Sequence, residues 1–189
     1  MIAAYYLNFK KYIIIMNLNY QFFYLINNNL QNPLFDFIMP HLTNIGGFAG
    51  LLVLCIIAII LTKYYKKEKY LKIAKLCLYS LILSGIITLC LKLAIVEQRP
   101  FLTLSNVHQL VTPTEPNSFP SGHASSTLSV ATVLIYEFRK NKLIVAGLVI
   151  FSILIAFSRV YCGVHYPLDV LTGMMVGILS GVVILKLKV

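Results

Sequence analysis

The stretch IAKLCLYSLILSGIITLCLKLAIV, residues 73–96, is apolar almost throughout, with Lys75 near one end and Lys92 near the other. A helix of about 20 such residues spans the hydrocarbon of a bilayer. Four more stretches read the same way: Leu42 to Thr62, Gly122 to Phe138, Leu143 to Phe157 and Leu168 to Leu187. The run from Leu143 is the shortest, and Ser158 with the turn after it can lengthen it. None alternates polar and apolar positions as a transmembrane strand must, and in lipid a helix satisfies its own backbone groups. The expected fold is all-α: an integral membrane bundle of about five transmembrane helices.

Composition agrees. With 59% hydrophobic residues, 12% charged residues and a mean hydropathy of +0.83, a soluble core would be over-supplied with apolar area. The chain reads as a transmembrane domain over 41–189, preceded by an interfacial amphipathic segment over 1–40. In that segment Tyr12 to Ile26 mixes Ile and Phe with Asn17, Asn19 and Gln21 and runs into Asn27-Asn28-Asn29, too polar for a span. Lys10 and Lys11 before an apolar run raise the reading of a secretory signal peptide, but no small-residue cleavage site follows. Asn32-Pro33 should break the helix, and a second short piece should run from Asp36 to Met39 and stop at Pro40. Met16 is a second candidate start, in which case residues 1–15 are not native.

Charge gives orientation. Lys63, Lys66, Lys67, Lys69, Lys72, Lys75, Arg139, Lys140, Lys142, Lys186 and Lys188 all fall on one face of a five-span bundle. The positive-inside rule makes that face cytoplasmic and sends Lys92, Arg99 and Arg159 to the outside or periplasmic end of a multi-pass protein of the plasma membrane. The net charge of +10 is then mainly a topology signal. Lysines at helix ends meet anionic headgroups of membrane lipids, and a nucleic-acid partner is not expected.

Cations on the outer face gain nothing from topology. Lys92 alone reads as a side chain snorkelling to the headgroups, but Arg99, seven residues on, shares its face if the helix continues until Pro100 ends it. The connection from Glu97 to Pro120 is long and carries four prolines. It closes on Pro120-Ser121-Gly122-His123, where Ser121 can cap a helix, Gly122 lets a ligand approach the backbone, and the free N–H groups suit phosphate. His123 in that first turn is a bystander or a ligand contact. Beyond the next two spans come Ser158, Arg159, His165 and Asp169; the last two are four apart, so the carboxylate can hold one ring proton and leave the other nitrogen a nucleophile. The alternative is a structural ion pair, although an aspartate at the start of an apolar helix is expensive. Topology puts all three clusters at one depth on one side.

These residues, Lys92 with Arg99-Pro100, Pro120-Ser121-Gly122-His123, and Ser158-Arg159 with His165 and Asp169, resemble the three-part signature of the type 2 phosphatidic acid phosphatase family, in order and at every position. The resemblance covers Lys92 to Asp169. It implies a lipid phosphatase in which His165 forms a phosphohistidine, Asp169 orients it, and His123 protonates the leaving oxygen. Lys92, Arg99 and Arg159, with the amides near Ser121 and Gly122, would bind the phosphate oxygens, with no metal and no cofactor. The N-terminal segment and the Phe35-Asp36 to Thr43 stretch resemble the bacitracin-resistance type of undecaprenyl diphosphate phosphatase, which often carries Asp at the position of Gly122. The implied substrate is a lipid phosphate or diphosphate, first a polyprenyl diphosphate, with phosphatidylglycerophosphate and phosphatidic acid as alternatives. A haloperoxidase would need vanadate and halide and does not suit five spans. A non-catalytic lipid-binding protein has no use for two histidines.

Cys55, Cys77, Cys90 and Cys162 show no metal spacing and read as small packing residues. Gly173, Gly177 and Gly181 form a small-residue ladder that serves close packing inside the bundle or, less simply, a homodimer face.

Overall fold

The computed structural model describes residues 14–187, and Lys10, Lys11 and Lys188, with most of the segment ahead of Met16, lie outside them. Helix α1 is described over residues 14–24 and widens into a π-helical turn at Leu25–Asn29. There follow α2 (Pro33–Ile45), α3 (Phe48–Tyr64), α4 (Glu68–Ala94), the single turn α5 (Pro100–Thr103), α6 (Gly122–Glu137), α7 (Lys142–Tyr161) and α8 (Pro167–Leu187).

Three of these, α4, α7 and α8, are individually long and apolar enough to cross a membrane, and α2 with α3 qualifies as a fourth crossing bent by 53°. Outward-facing Ile60, Ile86, Leu89, Ile150, Met175 and Leu179 are exposed, so the bundle is as apolar outside as inside, as a membrane-embedded protein requires. The expected first span from Leu42 is therefore two helices. The break falls at Gly46-Gly47, where a Cβ on Gly46 would lie 2.5 Å from Ile155 and 2.7 Å from the Thr127 hydroxyl. Helix α6 follows the expected stretch to within one residue, with Phe138 as its C-cap; at 16 residues it is the inner helix, packed on α8, α4, α7 and α3.

Two expectations at the N-terminus need correction. Asn32 does end the first segment, accepting from the Phe35 N–H at 2.9 Å with Pro33 in the first turn, but Pro40 does not stop the second, which runs on to Ile45. Pro40 forfeits the bond to the carbonyl four residues back, yet Met39 beside it and Thr43 one turn on are buried. Packing of α2 against α7 outweighs the missing bond. The asparagines are likewise more than interfacial: Asn27 is fully buried and donates to the Tyr161 and His108 carbonyls, both at 2.8 Å, while accepting from the His108 N–H at 2.9 Å. It ties the N-terminal helix to both the long loop and the end of α7.

The core lies between α3, α4, α6 and α8, around Leu51, Cys55, Leu76, Leu81, Val133 and Ile184. Lipid tails compete with such apolar contacts on equal terms, so small residues and buried hydroxyls carry helix association in a membrane. Ser80 donates to the Ser129 carbonyl at 3.0 Å and Thr88 to the Ser125 hydroxyl at 2.9 Å, joining α4 to α6. The glycine ladder faces α6 within the same chain. A Cβ on Gly173 would strike the Ser121 carbonyl, one on Gly177 would sit 2.8 Å from Leu128 Cβ, and one on Gly181 2.6 Å from Thr132 Cβ. Gly177→Ala should therefore destabilise the folded protein by about 1–3 kcal/mol, whereas Gly147→Ala, where a Cβ meets nothing within 4 Å, should be neutral or slightly stabilising. Thermal unfolding in detergent checks both.

Candidate active site

The residues singled out in the sequence meet at one end of α4, α6, α7 and α8. Lys92 sits in the last turn of α4 and is 7% exposed, so it does not snorkel. Its Nζ donates to the Asn117 carbonyl at 2.8 Å and pairs with Glu115 at 3.3 Å. The condition for a shared helical face is not met, since the helix does not continue to Arg99. It stops at Ala94, where Ile95 is already extended (φ −121°, ψ 99°), and Arg99, the residue before Pro100, is pushed out of the helical region with φ −74° and ψ 154°. Pro100 opens a short helix instead of ending a long one. The two cations meet because the chain turns.

The long loop supplies the template for that turn. The Asn117 side chain donates to the Lys92 carbonyl at 3.0 Å, the Ser118 N–H to the Glu97 carbonyl at 2.8 Å, and Arg99 Nε to the Glu115 carbonyl at 2.8 Å. Every one of these uses at least one backbone atom, which is why sequence reading missed Glu115, Asn117 and Ser118. Their only signal was the unusual length of the connection.

His165 lies between the end of α7 and the start of α8, 2% exposed. Its Nδ1 is 3.3 Å from Asp169 Oδ2, and its Nε2 is 3.3 Å from an Arg99 guanidinium nitrogen. Guanidinium has only donors, so Nε2 accepts there and the ring proton resides on Nδ1, facing the carboxylate. Burial, and the nearby charges of Arg159, Arg99 and Lys92, hold the imidazole well below its usual range. The ring is neutral, with its lone pair on the cation side. Asp169 Oδ2 also receives the Ser118 hydroxyl at 2.5 Å and the Tyr166 N–H at 2.9 Å.

Ser121 caps α6 from the Ala124 N–H and donates its own N–H to the Asp169 carbonyl at 3.0 Å, joining the second cluster to the third. A Cβ on Gly122 would find nothing nearer than Thr88 at 4.0 Å, so the start of α6 is open to a ligand. Beside it lies a cavity of about 180 Å³ lined by Phe48, Thr88, Lys92 and Gly122 among others. His123, half-buried, has the same three cations and His165 for neighbours. Gly47 leaves it room, since a Cβ there would come within 3.1 Å of His123 Nε2. Arg159, at the end of α7, is 4% exposed and donates to the Thr43 hydroxyl at 2.8 Å, while its Nε is buried with no hydrogen-bond partner. Thr43 on α2 thus brings that helix to the site; the stretch that ends on it carries a family likeness, but nothing in the sequence marked Thr43 as the partner of Arg159.

The chain is similar to known proteins over most of its length. The chain is 32% identical over 166 residues to undecaprenyl-diphosphatase BcrC of Bacillus subtilis, a match covering 87% of this chain and 81% of that protein. The crystal structure of LpxE from Aquifex aeolicus superposes with a TM-score of 0.77 at 33% identity, over 89% of this chain and 95% of that one. The first transmembrane PAP2-type phosphatidylglycerolphosphate phosphatase from Bacillus subtilis shares the fold, with a TM-score of 0.72 at 21% identity over 93% and 86% of the two chains. Residues 73–189 match the model of the PAP2 superfamily, and that span contains every histidine, cation and carboxylate that the bundle brings together around α4, α6, α7 and α8. The chain belongs to this superfamily of phosphatases and is a membrane-embedded lipid phosphatase.

Proposed function

We propose that the protein removes the terminal phosphate of a polyprenyl diphosphate at the outer face of the plasma membrane through a phosphohistidine. The observation that carries this reading is His165 itself: a buried neutral imidazole with its proton turned to Asp169 and its lone pair turned to Arg99.

His165 Nε2 attacks the terminal phosphorus as the bond to the bridging oxygen breaks. The electron pair of that bond stays with the leaving oxygen, which takes a proton from His123. Asp169 steadies the positive charge that develops on the His165 ring. Water then attacks phosphorus, loses a proton to His123, and frees phosphate as the P–N bond breaks. Lys92, Arg99, Arg159 and the amides at Ser121 and Gly122 hold the equatorial oxygens, where charge is spread in the transition state. The unpartnered Arg159 Nε is a ready donor for one of them. The fields of three cations and a helix N-terminus supply the positive charge, so the reaction needs no metal ion.

An apolar cavity supports the choice of tail. It measures about 450 Å³ and lies between α3, α4, α6 and α7, walled by Leu51, Ala58, Ile73, Thr127, Ala131 and Phe151, and Thr127 is one turn along α6 from His123. A groove between helices suits a single prenyl chain better than the paired chains of a diacyl lipid, and the BcrC likeness supports the same choice.

Purified protein in detergent with excess chelator should release phosphate from undecaprenyl diphosphate faster than from phosphatidylglycerophosphate or phosphatidate. A reversed preference would replace the polyprenyl substrate with the diacyl lipid turned over best. His165→Ala should abolish turnover, and His123→Ala should lower kcat by about 10²–10⁴-fold, with recovery on p-nitrophenyl phosphate, whose leaving group needs no proton. Orientation is tested in intact cells with a cysteine-free background: a membrane-impermeant maleimide should label Gln109→Cys directly and Lys66→Cys only after permeabilisation.

A further inference from the structure

Asp169 presents two oxygens, and its described hydrogen bonds all fall on one. Oδ2 takes the Ser118 hydroxyl and the Tyr166 N–H and faces His165 Nδ1, whereas Oδ1 is buried with no donor. A buried, charged oxygen left in that condition is costly. Glu97 brings a second carboxyl within hydrogen-bonding reach of the first. Two ionised carboxylates offer only acceptors to one another, so such a contact is attractive only when one proton is held in the pair.

The backbone makes the contact a built feature. The Glu97 carbonyl accepts the N–H of Ser118, the residue whose hydroxyl holds Oδ2, and the next residue, Gln98, bridges to Asn117. Glu97 and Ser118 therefore reach Asp169 from one pinned pair of segments. The Glu97 side chain also borders a cavity of about 460 Å³ with Asn19, Tyr20, Phe119 and Tyr166, a path by which a proton can exchange with solvent.

We propose that Glu97 is a positioning residue, which carries the proton of the carboxyl pair and donates it to Asp169 Oδ1, so fixing the carboxylate against His165. The inference rests on the reading that Asp169 orients His165. Tyr20 from α1, Lys92 from α4, Arg99 ahead of α5, and His165 and Tyr166 from the turn into α8 are the other titratable or charged groups around the pair, and Glu115 faces Lys92 from the loop. Burial first, then the Asp169 charge and hydrogen bond, push the Glu97 carboxyl up to about 7. Below that pH the proton is held and the carboxylate is fixed; above it two like charges face each other and the geometry loosens. Activity falls as pH rises. Stability has the same sign, because a folded pKa above the ordinary 4.5 means that the folded state holds a proton the unfolded state has lost. This contribution is complete below about pH 4.5 and is lost as pH rises through about 7.

Infrared difference spectra of the detergent-purified protein between pH 6 and pH 9 should show a protonated-carboxyl band that Glu97→Gln removes. For undecaprenyl diphosphate, Glu97→Ala should lower kcat about tenfold at pH 6 with KM unchanged, and Glu97→Gln, which still donates through its amide, should recover most of that loss. Glu97→Gln should also lack the wild-type decline in kcat above neutrality, and melting curves confirm that both variants fold. A carboxyl band that persists unchanged in Glu97→Gln overturns the proposal, and so does a wild-type pH profile in that variant. Absence of turnover in the wild type would instead sink the proposed reaction, while the infrared band still decides where the proton lies.

Discussion

Three cations buried at one end of an apolar bundle repel one another, and the site exists only because the chain supplies enough oxygen to hold them there. Unit charges a few ångströms apart interact far more strongly in a protein interior than in water, and burying them is expensive. Lys92 is offset by Glu115 and the Asn117 carbonyl, Arg99 by the Val164 and Glu115 carbonyls, and Arg159 by the Thr43 hydroxyl. Most of these acceptors are neutral. The positive field therefore survives the interactions that stabilise it, as the proposed binding of a phosphoryl group requires.

That constraint explains the elements around the bundle. Helix α2 brings Thr43 to Arg159, the loop ahead of α6 brings Glu115, Asn117 and Ser118 to the first cluster and to Asp169, and the bend at Gly46-Gly47 leaves space for His123. The glycine face of α8 sets how closely α6 approaches, and with it the distance between the Ser121 amide and the Asp169 carbonyl. A spacing made for packing in lipid thus also sets the geometry of the site. The N-terminal segment, polar enough to look peripheral, is fastened through Asn27 to the same loop and to the end of α7.

Much of this was legible in the residues alone. Apolar runs that cannot be dissolved in water read as membrane helices whatever their neighbours, and α4, α7 and α8 follow them closely. The His165 and Asp169 pairing was legible because a four-residue spacing is a local property of a helical turn. Arg99 comes near Lys92 without a shared helical face: the helix ends at Ala94 and the chain turns, a result decided by the loop hydrogen-bonded across it. Pro40 was misread because local propensity favours a stop there, and the contacts of Met39 and Thr43 with distant residues outweigh it.

Composition, hydropathy and the spacing of histidines, arginines and prolines determined that this chain is a helical membrane protein whose chemistry gathers at one end. Tertiary structure alone decided which neutral oxygens restrain the cations, which nitrogen of His165 keeps its lone pair, and why Glu97 stands beside Asp169. The division has a physical cause. Burial of apolar length and helical spacing act over a few turns of one chain segment, whereas a hydrogen bond to a backbone carbonyl 25 positions away, or to a single hydroxyl 116 positions away, carries no signature in the local sequence.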